Sequence, residues 1–458
     1  MLRGLGWAGI LFVARVALAH EAAADTPPVS TALVISGPRH ARILHVGSGG
    51  SVDARSIHLA ADGGGNTLVA ASFSGTIDLG GPAPIASRGK GKNTFVAAYD
   101  EAGQLLWQQR LGGAGDDWIS GLAVGGGGTI YLGGALHPET AADLGGVPPP
   151  CGAPVANVVA MDPSGRPRWA TQARTGEATA FIGPIAANAQ DEVILIGKCE
   201  TCAAIELGGK LFHADANAFV AKIAPDGSTS YLRALHAADG DFNGIAAMPD
   251  GAVLLSLAAK HVHVGDVIVH SARGWDGFMV RLEPSRDLGW IRRFGGWEDD
   301  RADQVVVDGN GQAFLTGCVG QKTLLGGGYL GAGCFWATLA ADGRLDRVHA
   351  IAADSFRLAV GGRDVVIAGT STHARIVGAS PAEERKTEAF VAWVAANGDE
   401  RLVRHLVGEG EIHVQDLAVD ARGQAVIAGT FTDTLRLGGT SILDAGGDRA
   451  VFLAAFGP

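Results

Sequence analysis

Aromatic residues make up only 6% of the chain, tyrosine occurs four times, and charged residues account for 18%. So little aromatic bulk excludes a fold packed around many large rings. The 69 glycines point instead to many tight turns and short strands packed through small residues. No basic stripe is present and the formal charge is −11, which speaks against nucleic acid and anionic membranes as partners. Past the N-terminus no apolar run is long enough to span a bilayer. No G-x-S-x-G elbow occurs, and no glycine loop opens a helix after a strand, so neither a hydrolase nucleophile nor a phosphate cradle is indicated.

What the chain does have is a block of roughly sixty residues that recurs seven times. Each copy begins with an apolar anchor: Leu59, Leu122, Ile185, Ile245, Val305, Leu358 and Leu417. A Gly/Asp/Asn-rich turn follows, then a second apolar run such as Leu68-Val69-Ala70 or Tyr131-Leu132-Gly133. Each copy reads as four strands. The fourth carries Trp107, Trp169, Tyr231 or Trp290, expected to fill the wedge between neighbouring sheets. A glycine recurs in the second strand (Gly134, Gly197, Gly317, Gly369, Gly429), predicting close face-to-face packing of adjacent sheets.

The seventh copy stops after its third strand, while residues 41–47 resemble a fourth strand lying ahead of the first copy. The expected architecture is therefore all-β: a seven-bladed β-propeller of four-stranded antiparallel blades, its ring closed by an N-terminal strand that completes the last blade. Blades are expected to start near 56, 119, 182, 242, 302, 355 and 414, within one domain spanning 32–458. Residues 1–19 read as a secretory signal, with Arg3, an apolar stretch at 8–18 interrupted by Arg15, and Ala17-Leu18-Ala19. Residues 20–31 read as a flexible lead. Removing 1–19 leaves 34 basic residues against 47 acidic ones, a charge of −13. Export to the periplasm, cell surface or medium favours disulfides over thiols.

The stretch Thr94-Phe95-Val96-Ala97-Ala98-Tyr99-Asp100, then Gly103-Gln104-Leu105-Leu106-Trp107 and Leu111-Gly112-Gly113, resembles the bacterial seven-bladed β-propeller repeat (SBBP) family. The likeness covers 41–458 and implies a propeller and export. It brings no catalytic residues with it.

Six residues ahead of the anchors stand Asp53, Asp116, Asp239, Asp299 and Glu411, on connections that would cross one face of a propeller. They would form a partial carboxylate ring able to hold Ca²⁺ or an anionic patch, or else they cap turns by bonding nearby backbone N–H groups. Cys318 and Cys334 are expected to pair as a disulfide, one ending a second strand and the other starting the third. For Cys199, Cys202 and Cys151 two pairings stay open: Cys151 to one of the CxxC cysteines, or a local Cys199–Cys202 bridge. A zinc site of Cys151, Cys199, Cys202 and His137 or His213 is a weaker alternative. His261 and His263 share a strand face with His270 nearby, without an evident third metal ligand.

Three functions follow. The favoured one is an exported, non-enzymatic, monomeric scaffold that binds a protein or polysaccharide of the cell envelope through loops on one face. It requires no cofactor, and calcium is the one ion its acids suggest. The second is an extracellular hydrolase or lyase using the face acids, Asp116 and Asp299 first. The third is a purely structural surface protein.

Overall fold

The computed structural model describes residues 38–47, 50–136, 144, 155–174, 180–371, 388–438 and 441–458. The signal segment and lead expected at 1–31 lie outside them. The described residues form antiparallel β-sheets, with one short 3₁₀ turn at Ala54–Ser56 and no α-helix among them. In the second copy the strands Trp118–Val124, Ile130–Leu136, Val155–Met161 and Pro167–Gln172 pair in chain order. Each anchor lies on the first strand of its copy, opposite the second apolar run. Leu59 faces Val69, Leu122 faces Leu132, Val305 faces Leu315 and Leu417 faces Ile427.

Central strands such as Asn93–Tyr99 and Ile130–Leu136 are buried at every residue, because neighbouring sheets cover both of their faces. The last sheet takes its fourth strand from the other end of the chain. His40–Val46 pairs with Ile442–Phe456, placing Ile43 opposite Phe452 and His40 opposite Ala455. First strands pack against one another in chain order, and Ile412–Val419 of the seventh copy lies against His58–Ala61 of the first.

The recurrent second-strand glycine serves a contact within its own sheet, not between sheets as its spacing predicts. A Cβ on Gly134 would lie 2.2 Å from the Trp118 carbonyl oxygen. On Gly317 it would lie 2.4 Å from the Arg301 oxygen, and on Gly429 2.2 Å from that of His413. All three oxygens belong to the adjoining first strand, which bulges at this point. Directly across on the third strand, Phe335 and Phe452 lay their rings over Gly317 and Gly429. A carbonyl on one side and a ring on the other leave no room for a methyl group.

Between sheets, the joint is aromatic on glycine. Trp107 covers Gly165 of the next copy's hairpin and its indole N–H donates to Pro163 O at 3.0 Å. Trp169 covers Gly227 and donates to Pro225 O at 2.7 Å. The Trp290 ring also covers Gly343, and His40 of the N-terminal strand covers Gly103 of the first copy.

The connections after the second strands at 72–92 and 199–215 contain strand. In the third copy the sheet strands run on as Val193–Leu207 and Lys210–Ile223, turning at Gly208 and Gly209 with φ of 56° and 75°. Ile205 and Leu207 are fully buried in alternation, so the extension has an apolar face to cover and folds back as an arm. The CxxC therefore lies within an extended strand. Other arms clamp neighbouring sheets: His261–Val264 pairs with Thr229–Ala238, and Thr76–Asp78 with His40–Val46.

One ion pair gives the fold a pH dependence. Glu388 bonds His405 and raises its pKa above the ordinary 6.5, so the folded state favours the imidazolium. The gain is complete below about pH 6.5 and is lost as pH rises through the raised value. His405→Gln is expected to cost about 1 kcal/mol at pH 6 and progressively less toward pH 9, read from urea midpoints at both. A gap between variant and wild type that widens with pH would refute the assignment.

Candidate functional site

The first strands of all seven copies surround a cavity of about 450 Å³. In four copies the residue just before the anchor sets how neighbouring copies meet there. Gln304 Oε1 accepts from the backbone N–H of Leu358, the next copy's anchor, at 2.9 Å. Asp416 does the same across the chain ends: Oδ2 accepts from Leu59 N at 2.7 Å, and Oδ1 from Leu417 N at 2.9 Å. Where this position is glycine the backbones close directly. A Cβ at Gly121 would stand 3.1 Å from Ile185 N, and one at Gly244 2.8 Å from Val305 N. Gln304 and Asp416 thus satisfy the amide of the next anchor with a side chain, while the glycines let the next strand's backbone come close.

The remaining wall carries both signs of charge. Arg301 Nε bonds Asp303 Oδ1 at 2.8 Å. Burial pushes the Asp303 carboxyl up, while Arg301 and then Arg357 pull it back. His58 is pushed down by burial, with Asp416 opposing and Arg357 reinforcing, so it stands neutral at pH 7. Cys318 and Cys334 line the same wall and are disulfide-bonded as expected, Cα to Cα 3.9 Å, directly opposite in register. Arg301 Nη2 lies 3.3 Å from Cys318 Sγ.

Four residues before their anchors, the position Arg301 occupies in the fifth copy, the second and third copies carry Trp118 and Phe181. Their rings stack, with centroids 6.3 Å apart at 27°, and they are 39% and 45% exposed. Trp297, on the connection leading to Arg301, is 72% exposed. Trp118 and Phe181 stand two and three residues before Ser120 and Pro184, which line the mixed-charge cavity.

The acids singled out by spacing each have local partners. Asp53 accepts from Arg55 N and pairs with Lys92 Nζ at 2.9 Å; the Lys92 hydrogen bond lowers its pKa despite some burial. Asp116 accepts from Lys92 N, and Asp299 from Trp275 N, both at 2.9 Å. Each of those amides immediately precedes a third strand, so the two acids play one role in two copies. Asp239 pairs with Lys260 at 2.6 Å and Glu411 with Arg449 at 3.0 Å. Among the described residues no group of three or more His, Cys, Asp or Glu is arranged to hold a metal ion. Cys199 is disulfide-bonded, which takes its sulfur out of a thiolate set. Cys151, His137 and the side chain of Cys202 lie outside the described residues.

The neighbouring acids Asp117 and Asp300 are the buried ones, at 0% and 2% exposure. Asn93 donates to Asp117 at 2.8 Å, and Asp300 accepts from Gly296 N at 2.7 Å and Gly320 N at 2.9 Å. Their signal is the doubled Asp a few residues after Gly112-Gly113 and Gly295-Gly296. The cavity residues Gln304, Arg357 and Asp416 left no such signal, because this position changes chemistry from copy to copy.

No protein-family model matches the chain. The regulatory protein FlaEY of Caulobacter vibrioides is 24% identical over 251 residues, 50% of this chain and 26% of that protein. The match therefore spans about a quarter of the relative's length. Among solved structures, YCF48 bound to D1 peptide aligns over 93% of this chain and 97% of its own, at 10% identity and a TM-score of 0.43. An ulvan lyase bound to a GlcA(1-4)Rha3S saccharide aligns over 86% of this chain and 92% of its own, at 10% identity and a TM-score of 0.40. Neither likeness transfers an activity.

Proposed function

We propose that the chain is an exported seven-bladed β-propeller of the SBBP repeat type, closed by its N-terminal strand. In this reading it binds an envelope polysaccharide at the cavity mouth without chemical turnover. Closure is supported by the pairing of His40–Val46 with the last strand and by the seventh first strand lying against the first. Export is supported by the Cys318–Cys334 disulfide. No helix among the described residues is long and apolar enough to cross a membrane.

The observation that carries the ligand reading is the exposed, stacked Trp118–Phe181 pair, on the same first strands that bring Ser120 and Pro184 to the polar cavity. A sugar ring offers an apolar C–H face to an aromatic platform and hydroxyls to the charged groups around it. The catalytic alternative has less support, because Asp116 and Asp299 are each engaged in holding a backbone N–H.

The test is calorimetric titration of envelope polysaccharide into wild type and Trp118→Ala. Losing the stack and its buried area is expected to cost about 2 kcal/mol, roughly thirty-fold in affinity, with an unchanged melting temperature. Equal binding by the variant would overturn the reading.

A further inference from the structure

The outer edge of the third sheet carries histidines that the cavity site does not use. His261 and His263 are two apart on His261–Val264, so they share a face; Val262 and Val264, at 1% exposure each, point into the core. Across the ladder His263 stands opposite His236 and His261 opposite His270. The first pair has ring centroids 5.5 Å apart at 18°, the second 5.4 Å apart at 53°. Four imidazoles thus form one row across three strands on the solvent side. The row borders a groove of about 570 Å³, which His213 also lines together with His236 and His263.

The arrangement exists because the arm of the fourth copy has clamped onto the third sheet. Joining two copies is what puts His236 opposite His263, and no periodicity in the sequence marks that pairing. Nε2 of His263 contacts the Gly265 carbonyl oxygen. A carbonyl only accepts, so this nitrogen carries the hydrogen and Nδ1 keeps its lone pair. A carbonyl fixing the tautomer in this way is the usual support behind a metal-binding imidazole.

We propose that this row binds late first-row divalent metal ions, Cu²⁺ or Zn²⁺, through two cross-strand imidazole pairs, with water completing each coordination shell. Imidazole suits both ions. Directly opposed residues on paired strands stand near enough for two rings to reach one ion once the rings rotate out of their stacked arrangement. A two-imidazole chelate needs no third protein ligand. The site is independent of the cavity and of the polysaccharide reading.

The test titrates the full chain with CuCl₂ and, separately, ZnCl₂ against a competing chromophoric chelator. Saturable uptake of about two equivalents is expected, with imidazole nitrogen coupling in the electron paramagnetic resonance spectrum of the Cu²⁺ form. His236→Ala with His263→Ala should remove half of the uptake, His261→Ala with His270→Ala the other half, and all four together the whole. No uptake by wild type, or uptake unchanged in the fourfold variant, would overturn the proposal. So would a Cu²⁺ spectrum lacking imidazole nitrogen, which is read on wild type and does not depend on how any variant folds.

Discussion

A chain lacking residues 38–46 is expected to melt far below wild type and to self-associate. Two losses combine. Leu44 is 1% exposed and packs with Ile57, Phe73, Ile77 and Val451, so it ties the first and seventh copies into one apolar cluster. Leu44→Ala alone should cost about 2–5 kcal/mol. Removing the whole strand also takes the partner from Ile442–Phe456 along five successive positions, from Ala455 back to Val451. A central strand thereby becomes an edge, with a row of open N–H and C=O groups that invites pairing with another molecule. It also uncovers Thr76–Asp78, which pairs with His45 and Val46. Thermal melts and light scattering on the truncated chain, with Leu44→Ala alongside, measure both losses. A truncated protein that stays monomeric and melts with wild type would show that the fold does not depend on this strand.

The repeat was legible because burial on both sides of a sheet selects the same apolar run in every copy, and Leu59 through Leu417 stand where that spacing puts them. The pairing of the two chain ends was legible for a related reason: a copy missing one strand and a spare strand at the other end leave a single economical pairing. The lining of the cavity was not. Its charged and amide residues lie one to four places before the anchors, where each copy meets its neighbour differently: Gly121 by close backbone approach, Gln304 by a side-chain acceptor, Asp416 by a carboxylate. A position that solves one geometric problem with several chemistries has no repeating signature. The acids that did repeat, such as Asp116 and Asp299, repeat because they hold the same backbone N–H in different copies. The arms were hidden too, since an alternation as short as Ile205 and Leu207 reads equally well as loop.

Gly134→Ala is expected to damage stability and ligand binding together, and the reason lies in the bulge. The added Cβ would fall 2.2 Å from the Trp118 carbonyl oxygen and 2.9 Å from Ile119 Cα. Both are backbone atoms, so no side-chain rotation relieves the clash and the first strand must move. Overpacking of this kind costs about 1–3 kcal/mol, and the rigid neighbours favour the upper end. The displaced strand is the one that presents Trp118 beside Phe181, so the stacked pair should separate and polysaccharide affinity fall about as far as in Trp118→Ala. Gly317→Ala makes the matching clash behind Arg301, at 2.4 Å from its carbonyl oxygen. It should cost similar stability while leaving the aromatic pair in place. Gly63, with nothing within 4 Å of its added Cβ, supplies the neutral comparison. Urea midpoints and calorimetric affinities for the three variants separate the two effects. If Gly134→Ala and Gly317→Ala lose stability equally and only the first loses the sugar, the bulge is what aims the binding surface. If Gly134→Ala binds as wild type does, Trp118 is not the platform.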